Sequence, residues 1–132
     1  MTNSVRYLEL ILATFPELSE KLAAEEGIYN QTHEFVDFAN AAISYGDWPR
    51  LQLCYEIMDR VLHEEPDKEV YNVVYVAFVE HLDFETDAVN GLRAKNMLTP
   101  RLLQAWNELE KHWRESAEQN RKQAAKYLKD SP

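Results

Sequence analysis

Glycine, proline and cysteine are scarce in this 132-residue chain: three, five and one, respectively. So few turn-formers disfavour a turn-rich sandwich or barrel and suit long helices with short connections. The glycines stand alone at 27, 46 and 91, so no glycine-rich loop can cradle a phosphate. With Cys54 as the single thiol, neither an internal disulfide nor a thiolate zinc site can form, which leads us to expect a reducing, cytoplasmic setting. Nothing reads as a secretion signal. The apolar stretch after Arg6 is interrupted by Glu9 and ends at Phe15-Pro16-Glu17. No run approaches the ~18 apolar residues of a membrane span. Positive charge is also short, and unevenly so. Residues 1–98 carry 18 Asp and Glu against 7 Lys and Arg, a net of −11, whereas residues 99–132 have a net of +2. An acidic body argues against nucleic acid as a partner and for something positively charged.

What the chain does contain is apolar residues at helical spacing, 45% of the total. We read seven helices. The first covers about 3–14, with Val5, Leu8, Ile11 and Leu12 on one face, and the second starts at Pro16 and stops at Gly27. Thr32 is placed to cap a third that carries Phe35, Phe38, Ala39, Ala42 and Ile43. Gly46 ends it, and Asp47 caps a fourth over 48–64 that is apolar almost all round. Val70–Val79 favours a strand locally, being β-branched and aromatic, but no second strand exists to pair with it. It is therefore expected to be a buried central helix. A sixth helix follows at about 86–97 with Val89, Leu92 and Met97 inward. Thr99-Pro100 opens a long last one whose stripe is Leu102, Trp106, Leu109 and Trp113. The expected architecture is all-α: antiparallel helices in a helical-hairpin stack, with a single domain over 1–113 and a C-terminal helical extension over 114–132.

In such a stack alternate loops emerge on the same edge. One edge then carries Asp47, Trp48, Asp83, Glu85 and Asp87; the other carries Glu25 and Glu26 with Glu64, Glu65 and Asp67. Trp48, beside a loop, is a candidate exposed anchor for a partner. No catalytic constellation emerges, and no enzyme activity or cofactor is expected. Asp59 and His63 share a helix face at i, i+4, with Glu56 nearby, which reads first as a solvated face and only second as half a metal site. Cys54 among Leu51, Leu53, Tyr55 and Met58 reads as an inert core thiol. Glu80, next to an apolar run, needs a partner such as Arg93 if it is buried, and Asp37 invites the same reading.

The segments Phe15-Pro16-Glu17-Leu18, Phe35-Val36-Asp37-Phe38, Gly46-Asp47, Asp67-Lys68-Glu69-Val70-Tyr71-Asn72-Val73-Val74 and Phe78-Val79-Glu80-His81-Leu82 occur in that order. In this the chain resembles an uncharacterised family of small bacterial all-helical proteins with armadillo/HEAT-like packing. The likeness covers about residues 5–105. Proteins of that type include immunity proteins that neutralise toxins delivered to competing bacteria, contact-dependent inhibition toxins among them. The resemblance implies a cognate toxin as partner, a basic nuclease domain in view of the charge. Asp47, Trp48, Asp83, Glu85 and Asp87 are the residues expected to contact it, with Glu64, Glu65 and Asp67 as the second choice. The competing reading is an intracellular adaptor that docks a protein without inhibiting it.

Overall fold

The computed structural model describes residues 2–129, and the protein is all-α. Helix α1 is Ser4–Thr14, its first turn capped by the Asn3 side chain, which accepts from the Arg6 amide. A 3-10 turn, Pro16–Leu18, leads into the short α2, Ser19–Ala23. Helix α3 is Gly27–Tyr45 and α4 is Trp48–His63. Helix α5, Lys68–Val73, continues as a π turn, Val74–Phe78, and then a 3-10 turn, Val79–His81. Helix α6 is Ala88–Asn96, and α7, Pro100–Lys129, runs for 30 residues. The only sheet-like pairing among the described residues is an isolated bridge between Thr2 and Pro66.

The β-branched run is helical and central, as expected. Val70, Val73, Val74, Ala77, Phe78 and Val79 are all buried. In a straight α-helix Val79 would point away from the side shared by Val73, Val74, Ala77 and Phe78. The extra residue held in the π turn brings it back toward the packed side. Phe78 stacks on Phe35 of α3 at 5.6 Å between ring centroids, and Phe35 in turn meets Phe15 at 6.2 Å. Helix α4 lies against α1, α3 and α7, which accounts for its wide apolar surface.

Several local expectations are corrected. Helix α3 begins at Gly27, so this glycine opens a helix instead of closing one. Thr32 is therefore inside α3, and its buried hydroxyl shares a 2.6 Å hydrogen bond with the Tyr7 hydroxyl in place of capping. Burial drives the Tyr7 phenol well above its ordinary pKa. On α1 the inward face is Tyr7, Leu10 and Ile11, while Val5 is exposed. On α6 it is Gly91 and Ala94; Val89 and Leu92 face outward, because α6 packs through small residues. Gly46 does end α3, in the left-handed region at φ 69°, with the Asp47 amide reaching back to the Ala42 carbonyl at 2.8 Å.

Helix α7 changes character along its length. Leu102 and Ala105 are buried, Trp106, Leu109 and Trp113 are half-buried, and every residue over 117–128 is exposed. The expected extension over 114–132 is thus helical to Lys129; residues 130–132 lie outside the described residues. A chain cut after Ser116 loses no buried side chain among those described. Its unfolding free energy in urea is expected to stay within about 1 kcal/mol of the full chain's. A larger loss would show that 117–129 packs on the body.

Candidate binding groove

The turn between α3 and α4 does lie beside the start of α6, as the loop argument predicts. The Asn90 side-chain amide donates to the Ile43 carbonyl at 3.0 Å and to that of Ser44 at 3.4 Å. Asp47, Asp83 and Asp87 are nevertheless engaged locally. Asp47 and Asp87 are N-caps of α4 and α6, accepting from the Arg50 and Asn90 amides. The Asp83 carboxylate folds the connecting loop, accepting from the Glu85 amide at 3.1 Å and the Thr86 amide at 3.0 Å. Bonds from Thr86 and Glu85 hold its pKa below the ordinary carboxylate value. Glu85 itself is exposed and has no side-chain partner among the described residues. Trp48 is only half exposed: it packs on the core, and the Arg93 guanidinium sits over its ring at 4.6 Å.

The opposite set separates. The turn carrying Glu64, Glu65 and Asp67 is clasped by the start of the chain, not by the 25–31 loop. The Thr2 amide donates to the Glu65 carbonyl, and the Asp67 amide donates to the Thr2 carbonyl. Glu64 pairs with Arg60 at 2.9 Å and Arg6 at 3.7 Å, and its pKa is lowered chiefly by the Arg60 hydrogen bond. Asp67 caps α5 by accepting from the Val70 amide. Glu65 is exposed, in a left-handed conformation at φ 48°.

A groove of about 700 Å³ opens between the 82–87 loop, α6 and α7. Phe84, Trp106 and Trp113 form an aromatic series along it. Phe84 meets Trp106 edge-on at 4.8 Å, and Trp106 meets Trp113 edge-on at 5.6 Å. Glu80, Asp83, Glu85 and Glu110 supply carboxylates, and Lys95 is the only cation of the lining. The Lys95 ammonium sits 5.7 Å from the Trp106 ring and 3.8 Å from the Glu110 carboxylate. The indole N–H of Trp106 is buried without a hydrogen-bond partner among the described residues. One glycine shapes the wall: a Cβ on Gly91 would run into the Phe84 backbone carbonyl, so only glycine lets the loop lie this close to α6.

Glu80 is half-buried and lines this groove; the Arg93 expected to pair with it stacks on Trp48 instead. Asp37 is exposed and needs no partner. The Asp59–His63 face is filled from within the protein. Arg101 donates to Asp59 at 3.1 Å and meets the His63 ring nitrogen at 2.9 Å, so a guanidinium stands where a metal would. His33 and His81 come together at 4.6 Å between rings, but among the described residues no three His, Cys, Asp or Glu side chains cluster as metal ligands. Cys54 is fully buried, and burial pushes its thiol up to about 12. Sequence reading missed Phe84, Lys95, Trp106, Glu110 and Trp113 as site residues. The spacing of Trp106, Glu110 and Trp113 at i, i+4, i+7 was the available signal, an acid set into an aromatic stripe.

The chain belongs to the family described as "Domain of unknown function (DUF7674)", whose model matches residues 8–114. No curated protein and no solved structure matches it.

Two outcomes test this geometry. Alanine in mid-helix ordinarily gains about 1 kcal/mol over glycine. Gly91→Ala is expected to lose about 1–3 kcal/mol net through the collision with Phe84, read as a lower Tm; a raised Tm would refute the close approach. The second concerns pH. Asp83 has a lowered pKa when folded, so its contribution is present above the ordinary carboxylate value of about 3.9 and disappears as pH falls through the lower folded value. The protection of the Glu85 and Thr86 amides, measured as exchange relative to the intrinsic rate at each pH, should therefore be present near neutrality and fall in acid. In Asp83→Asn it should be reduced near neutrality too.

Proposed function

We propose that this protein is an immunity protein: it binds a cognate bacterial toxin domain, a basic nuclease, and covers that toxin's active site. The observation that carries the reading is a division among the acids. Asp47, Asp67, Asp83 and Asp87 are engaged as caps or in a turn, whereas Glu80 and Glu85 border an aromatic-lined groove without ion pairs of their own. In a body with a net charge of −11 over residues 1–98, such carboxylates are available to a positive surface. A nuclease must present one to hold phosphate, and complementary charge speeds its capture and fixes orientation. The resemblance described above, to an uncharacterised family some of whose members act as immunity proteins, supports the same reading, in which the chain acts in the cytoplasm, where the toxin would arrive.

The full-length tagged chain, used as bait in its native host and washed at low and high salt, tests this. The expected result is recovery of a basic toxin fragment, released by salt, whose nuclease activity the chain suppresses. Glu85→Lys, which alters no cap, should weaken that association at least about tenfold, within the range measured for charges at interfaces. Recovery of a non-toxic intracellular protein would replace this reading with the adaptor. A toxin bound equally well by wild type and by charge reversals on both acidic turns would remove its electrostatic basis.

A further inference from the structure

We propose that the groove is a seat for an arginine side chain presented by the protein partner. This rests on the reading of the chain as a binder of a basic protein and names the chemistry of the contact. The volume, about 700 Å³, is in the ordinary range for a ligand site and exceeds a single side chain, so an arginine can enter with its flanking backbone. The lining offers two things that a guanidinium takes together, aromatic surface and carboxylates. Trp106 and Trp113 stand edge to face, and Glu80 and Glu110 border them.

The protein's own cations show how the arrangement works. Arg93 rests over Trp48 at 4.6 Å, and Arg50 rests over Phe38 at 5.1 Å while pairing with Asp47 at 3.5 Å. In the groove the resident cation is Lys95, which is farther from its ring, at 5.7 Å, and held to Glu110 by a 3.8 Å contact. Its side chain is 38% exposed, so it is loosely held and exchangeable. A planar guanidinium entering from a partner stacks better on indole than an ammonium does and can take Glu80 at the same time. Lys95 is thus a weak internal competitor for the seat, and its removal should improve binding while removal of the acids impairs it.

The experiment titrates the full chain with the peptide acetyl-Gly-Arg-Gly-amide, using the citrulline peptide as a neutral isostere. The indole N–H signals of Trp48, Trp106 and Trp113 are followed by NMR. Saturable shifts at Trp106 and Trp113, absent with citrulline, are expected. Glu80→Gln and Trp113→Ala should each weaken binding at least about fivefold. Neither residue belongs to the central hydrophobic cluster, so both variants should fold. Lys95→Met should tighten binding about twofold or more, and Lys68→Met, an equal loss of charge on an exposed residue of α5, should not. The proposal is overturned if the citrulline peptide binds equally, if only Trp48 responds, or if the two lysine variants behave alike. Its failure is separable from that of the proposed function. A toxin neutralised equally by wild type and by Trp113→Ala would remove the arginine seat alone. An arginine seat in a chain that neutralises no toxin would remove the immunity reading alone.

Discussion

The segment Val70–Val79 prefers strand geometry, yet six of its ten residues are buried where no partner strand exists among the described residues, and the other helices are arranged around that requirement. Helix satisfies every backbone group within the segment, so burial selects helix against local preference. The accommodation is visible as the change from α to π to 3-10 geometry between Lys68 and His81. It lets α3 pack through Phe35 on one part of the run and α7 pack on its last turn. Where the run ends the backbone becomes extended at Leu82, and the 83–87 loop must then cross to α6. The groove is a consequence of that exit. Its floor is the face of α7 that packs near the last turn, and its wall is the loop that Gly91 allows close to α6.

The same economy separates the acids. Each short connection requires a cap or a turn-former, and aspartate supplies both because its carboxylate reaches backbone amides two or three residues on. Asp47, Asp67, Asp83 and Asp87 all serve in this way. The glutamates, one methylene longer, are the acids left near the groove, and of Glu80, Glu85 and Glu110 only Glu110 has an internal cation among the described residues. High acidic content therefore has two origins in this molecule. Part of it is the means by which a glycine-poor chain turns corners, and part is a charged surface with no structural duty. Only the second part bears on a partner, which is why a count of acids per edge overstates the choice between edges.

Helix existence and type were legible in the sequence; inward faces and site membership were less so. Spacing and caps placed six of the seven helices, the fifth followed from burial without a partner strand, and Gly46-Asp47 marked the α3–α4 corner correctly. Thr32 misled because a threonine before an apolar run has the form of a cap, whereas its hydroxyl is committed to Tyr7 from a helix 25 residues away in sequence. Val89 and Leu92 misled because α6 packs through Gly91 and Ala94, and hydrophobicity alone cannot signal a contact made by small residues. The acidic loops were found, but Trp106 and Trp113 were read as a core stripe, and Glu110 between them was passed over. The contacts of Trp106 with Phe84 and of Glu110 with Lys95 depend on how the 82–87 loop and α6 lie against α7, which no periodicity within one helix reports.

The boundary of the family match adds a final constraint. It ends at residue 114, one residue past Trp113, the last groove residue, and close to where burial along α7 ceases. The matched stretch therefore spans all the groove-lining positions and most of the body, and the exposed part of α7 lies outside it. That remainder is basic at Arg121, Lys122 and Lys126, opposite in sign to the body. For the basic partner proposed above, a positively charged helix leading away from an acidic groove would bias the approach. Repulsion would disfavour approach along the helix and favour the loop side, bordered by Glu80, Asp83 and Glu85. Orientation of this kind requires no contact with the helix, only its charge and its roughly 20 Å of length beyond the groove.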